Sequence, residues 1–109
     1  MPIAPWRATS IQMRSERATQ AASETEAKAV LARNTERLLG LITKAAESDK
    51  RPDLVVFPEF ALQGPPLGMP VPQWIARACS SIPGPLTEPL QALAKKLGIY
   101  ISGNLFEAP

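Results

Sequence analysis

The stretch Leu54-Val55-Val56-Phe57-Pro58-Glu59 constrains this chain more than any other, because an unbroken apolar run of β-favouring residues leads through a proline to a carboxylate. A run without polar alternation suits a strand covered on both faces, as in the parallel sheets of α/β folds. Pro58 cannot donate to a strand ladder, so regular pairing ends there and Glu59 falls just past the carboxyl end of the strand. Open α/β sheets usually place their chemistry at that end. Flanked by Phe57, Phe60 and Leu62, the carboxylate is expected to be partly desolvated, a condition that suits a general base. A surface glutamate tied to nearby backbone amides in a strand-to-loop turn fits the same residues.

Upstream, Arg7 to Met13 reads as a first strand with Ile11 and Met13 directed one way, and Arg14 to Ala22 as a polar loop. Ser23 followed by Glu26 is a capping box, with Glu24 and Glu26 set favourably against the positive end of a helix dipole. Ala27, Val30, Leu31, Asn34, Leu38, Leu41, Ile42 and Ala45 then repeat at helical spacing, so a long helix should run to near Asp49 and lay this stripe on a sheet. Asn34 is the polar member of the stripe. It is either a loosely placed helix residue or an amide that bonds buried backbone. Arg51-Pro52 resets the chain to extended geometry, and strand, helix and strand in that order predict a parallel crossover.

Downstream, the glycines and prolines from Gly64 to Pro72 predict an irregular loop beside the proposed site. Pro72 opens a short helix that carries Trp74, Ile75 and Ala78. Thr87 is expected to cap a further helix, with Leu90, Leu93, Ala94 and Leu97 on one face and Gly98 as a left-handed stop. Ile99 to Leu105 reads as the third strand. Gly103-Asn104 then marks either a close approach to a ligand or a bulge, and Glu107 is a pocket or a surface residue.

The pattern V-V-F-P-E-F-x-x-x-G, here Val55 to Phe60 and then Gly64, resembles the first signature of the nitrilase, or carbon-nitrogen hydrolase, superfamily. Asn34 resembles that family's helix asparagine. Ile82-Pro83-Gly84-Pro85 followed by Leu90 to Glu107 is similar to its next helix and strand. The resemblance implies an α/β fold, the N-terminal portion of a nitrilase-like α-β-β-α sandwich, with residues 1–109 forming an incomplete domain equal to about the first third. It also implies a Glu-Lys-Cys triad that hydrolyses non-peptide carbon-nitrogen bonds, of which only Glu59, the general base, is present. The lysine and cysteine would then lie beyond residue 109. On this basis the chain is a fragment of a longer enzyme or a truncated reading frame. Pro65-Pro66 departs from the family pattern, in which an aromatic follows the motif glycine.

The implied substrate is a small amide or nitrile, an amide being favoured, with no cofactor, no metal and association into a homo-oligomer. The other reading is a non-catalytic α/β fragment that works by association. Composition narrows the rest. With 109 residues, 45% of them apolar and 20% charged, the chain fits one ordinary domain. Its 12 basic and 10 acidic residues are interspersed, so nothing tracks a phosphate backbone and no nucleic-acid partner is expected. Histidine is absent, which removes Ser-His-Asp and Cys-His catalysis from this segment. The single cysteine, Cys79, excludes an internal disulfide and reads as a small hydrophobe rather than a nucleophile. Lys95 and Lys96 read as helix-end charges. No apolar run approaches a membrane span and no secretory signal is evident, so a cytoplasmic protein without a membrane partner is expected.

Overall fold

A computed structural model describes residues 2–109. Its centre is a three-stranded parallel sheet in the order β1 (Ala8–Ser10), β2 (Leu54–Val56), β3 (Tyr100–Ser102). Thr9 stands beside Val55 and Val55 beside Ile101. The strands are shorter than the sequence predicts, although the ladder outlasts them: Ile11 donates its N–H to the Val56 carbonyl at 2.8 Å, and Phe57 donates to Ser102 at 2.9 Å. Beyond those bonds Pro58 has no N–H to donate, and the chain after Ser102 leaves the ladder.

Between β1 and β2 runs α1 (Glu24–Ala46), entered where the Ser23 hydroxyl accepts the Glu26 N–H at 3.1 Å. Its buried residues are Ala27, Val30, Leu31, Asn34, Thr35, Leu38, Ile42 and Ala46. Leu38 and Ile42 are fully buried, and each such side chain contributes about 1.5–3 kcal/mol of hydrophobic stabilisation. Leu41 and Ala45 are only half-buried. A stripe spaced by threes and fours drifts around a long helix, and by its last turns the buried face has rotated onto Ile42 and Ala46. Arg51 gathers the helix ends beyond: its guanidinium donates to the Ala46 carbonyl at the end of α1, and to that of Leu97.

α2 (Val71–Ala78) has Pro72 in its first turn and buries Trp74 and Ala78. α3 (Glu88–Leu97) ends at Gly98, whose φ of 67° and ψ of 39° are the left-handed stop the sequence predicts. Thr87 does not cap it as expected. Thr87 is itself in helical geometry, and its hydroxyl instead accepts the Gly84 N–H at 2.8 Å, closing the turn before the helix. A cap needs an extended backbone to aim its oxygen at the first helical amides.

The expectation of a strand covered on both faces is corrected. Thr9, Val55, Phe57 and Ile101 share one face of the sheet, and Val55 and Phe57 join the core with Leu31, Leu38 and Ile42. On the opposite face Leu54 is half-buried, while Val56 is 37% and Tyr100 79% exposed. Continuous apolar character marks a strand suited to cover on both sides, but residues 2–109 supply a layer for only one of them. Among the described residues no helix is long and apolar enough to cross a membrane.

Candidate active site

Glu59 sits just past the end of β2, in a turn fixed by its own backbone and by neighbouring segments. Within it Ala61 N–H donates to Pro58 and Gly64 N–H to Phe60 at 2.9 Å, and Gly64 takes a φ of 73°. A Cβ at Gly64 would lie 2.9 Å from the Arg17 Cα, so glycine is needed there for closeness as well as for conformation. The loop after β1 holds the turn from one side: the Ser15 hydroxyl donates to Ala61 carbonyl at 2.6 Å, and Ala18 N–H donates to Gln63 carbonyl at 3.1 Å.

Asn34 joins loop, helix and turn. Its Oδ1 accepts the Glu16 N–H at 2.9 Å, and its Nδ2 donates to the carbonyls of Glu16 at 2.9 Å and Leu62 at 3.0 Å. The side chain is fully buried, and of the two readings open in the sequence this is the amide that bonds buried backbone. Glu16 is further held by Arg33, whose Nε and Nη2 donate to its two carboxylate oxygens at 2.8 and 2.9 Å. That hydrogen-bonded guanidinium, more than its charge, keeps the Glu16 carboxyl below the ordinary glutamate range.

Glu59 itself is exposed and stands between two hollows. One, of about 390 Å³, is lined also by Met13, Ser15, Arg17, Phe60 and Pro65. The other, of about 150 Å³, is lined by Phe60, Gln63, Asn104, Leu105 and Phe106. The desolvation expected from the flanking apolar residues is therefore not supplied here: Phe57 and Leu62 turn into the core, and Phe60 is 40% exposed. Pro65, which stands where the family pattern has an aromatic, lines the larger hollow.

A model of the carbon-nitrogen hydrolase family matches residues 7–109. The chain belongs to the carbon-nitrogen hydrolase family. No curated protein and no solved structure matches it.

For a carbon-nitrogen hydrolase the arrangement is informative about which groups are not brought together. Among the described residues no lysine or cysteine lines either hollow beside Glu59. Cys79 follows α2 directly and opens onto a different cavity, of about 470 Å³, with Lys28, Leu31 and Leu39 of α1. Burial pushes its thiol up, and the charge of Lys28 opposes this only in part, so Cys79 is a weak nucleophile near neutral pH. Lys95 and Lys96 occupy the last turn of α3, where cations suit the helix dipole. Glu107 is exposed, and its backbone bridges to Ser80. The close approach at Gly103 is to the Phe57 ring.

Sequence reasoning missed Gln63, an unspecified position of the motif. It is buried and bonded to backbone on two other segments. A glutamine before the motif glycine carries no periodicity or capping signal, so only its burial reveals it.

Proposed function

We propose that this stretch contributes the general base of a carbon-nitrogen hydrolase site acting on small amides, in preference to nitriles. Glu59 would take the proton of a cysteine thiol, the thiolate would attack the amide carbon, a lysine would stabilise the negative charge of the tetrahedral intermediate, the C–N bond would break as the proton passes to the departing ammonia, and water would hydrolyse the remaining thioester. The observation that carries this reading is Glu59 itself: the motif carboxylate of a family member, at the carboxyl end of a parallel strand, open to a hollow on each side. The lysine and cysteine are assigned to polypeptide outside residues 1–109, because those within it do not line these hollows. Cover from that polypeptide would also supply the desolvation that Glu59 lacks here.

The test is ammonia release from a panel of short aliphatic amides and nitriles. Residues 1–109 alone should release none. Release that disappears in Glu59→Gln would show that the site is completed within this stretch, contrary to the proposal.

A reading as an association module is favoured by one observation, the sheet face on which Val56 and Tyr100 lie open. It requires a discrete homo-oligomer in light scattering, and a well-behaved monomer would count against it.

A further inference from the structure

Gln63 spends its entire hydrogen-donating capacity on main chain. Its Nε2 donates to the carbonyls of Ala78 at 2.6 Å and Phe106 at 3.0 Å, and its Oε1 accepts the Phe106 N–H at 2.8 Å. The side chain is 1% exposed. The Ala78 carbonyl lies in the last turn of α2, where a helix leaves its carbonyls without internal partners. Toward Phe106 the carboxamide answers both backbone groups of one residue, as an adjoining strand would.

Phe106, so held, presents its ring to the turn. It lies parallel to the Phe60 ring, with centroids 6.1 Å apart and 11° between planes, and meets Trp74 edge-on at 5.3 Å. Phe60 directly follows Glu59. The circuit closes through the Gly64 N–H bond to the Phe60 carbonyl, which spans Gln63.

We propose that Gln63 is a positioning residue for Glu59: by fixing both backbone groups of Phe106 it sets the Phe60–Phe106 stack, and so the backbone from which the carboxylate projects. The catalytic part of this proposal rests on the reading of Glu59 as general base; the mechanical part does not.

Gln63→Met keeps the length of the side chain and removes all three bonds. In residues 1–109, followed by NMR, it should speed hydrogen exchange at the Ala61 and Gly64 amides by about tenfold or more, and weaken contacts between the Phe60 and Phe106 rings, while Phe57 and the α1 amides keep their protection. Uniform acceleration at all of these amides, or wild-type rates and ring contacts, would overturn the proposal. Gln63→Glu keeps the acceptor for Phe106 and regains a donor on protonation, so its ring contacts should recover as the pH is lowered. Failure to recover counts against the proposal even where the methionine variant does not fold. Turnover separates the two layers. In a polypeptide where Glu59→Gln abolishes ammonia release, Gln63→Met should lower kcat about tenfold at unchanged KM, and an unchanged kcat would overturn the positioning role. Should Glu59→Gln leave turnover intact, the base assignment falls by itself, and the exchange result still decides whether Gln63 orders the turn.

Discussion

The ring of Phe57 fills the space in which a side chain at Gly103 would begin. Val56 pairs with Ser102, so the next residues of β2 and β3 lie side by side, and only a glycine lets the large ring fold over toward the core. Gly103→Ala should therefore cost about 1–3 kcal/mol by forcing Phe57 off its packing. Gly40 is the control: a Cβ there meets nothing within 4 Å, and Gly40→Ala in the exposed middle of α1 should stabilise by up to about 1 kcal/mol. Urea unfolding of the two variants checks both signs. Equal effects would mean that the crowding at Gly103 relaxes freely.

Asn34→Ala should be among the most damaging polar substitutions in the chain. It strands the buried carbonyl of Leu62 and removes the partner of both part-buried backbone groups of Glu16. Unsatisfied buried groups cost about 1–3 kcal/mol, so a loss of about 2–3 kcal/mol is expected. The comparison is Thr35→Val, one residue on and equally buried in class, whose hydroxyl bonds only the Leu31 carbonyl within its own helix. That carbonyl lies within the helical ladder, and a loss of about 1 kcal/mol or less is expected. Chemical denaturation resolves the difference.

The contrast between these two residues shows what sequence could and could not disclose. The cap at Ser23, the stop at Gly98 and most of the buried stripe of α1 were legible because each depends on neighbours a few positions away. Asn34 was legible as an anomaly, a polar residue on an apolar stripe, but its partners on Glu16 and Leu62 come from distant segments. The place of Glu59 just past the strand end was legible because a proline after an apolar run marks that end. Its exposure was not, since the same run would be written for a strand whose second cover lies elsewhere in the polypeptide. Thr87 carried a misleading local signal: the residue type suits a cap, and the turn through Gly84 claims its hydroxyl first.

Acid should loosen the Glu16 contact before the core responds. The Arg33 guanidinium holds the folded-state carboxyl below its ordinary value, so the unfolded chain takes up the proton first as pH falls. The stabilisation is therefore complete above the ordinary glutamate range, around pH 4.3, and is lost as pH falls through the lowered folded value. Both partners are well exposed, so the effect is small. The stabilities of wild type and Glu16→Gln, measured by thermal unfolding, should differ by a constant amount above the ordinary glutamate range and converge as pH falls through the lowered folded value. A gap that persists undiminished in acid would show that it does not arise from the ion pair with Arg33.

Glu59→Gln separates catalysis from architecture. The turn is closed by bonds from Ala61 and Gly64 and anchored by Ser15 and Asn34, none of which uses the Glu59 carboxylate. The side chain is exposed, so the substitution should change stability by no more than about 0.5 kcal/mol. If the carboxylate is the general base, turnover in a polypeptide that also carries the lysine and cysteine should nevertheless fall by about two to four orders of magnitude, because glutamine keeps the shape but accepts no proton. Were Glu59 only a tie in the turn, the variant would instead lose about 1 kcal/mol of stability and keep its rate per folded molecule. Thermal unfolding and ammonia release measured on the same samples distinguish the cases. Near-normal turnover in the folded variant would remove Glu59 from the chemistry and leave the turn as scaffold alone.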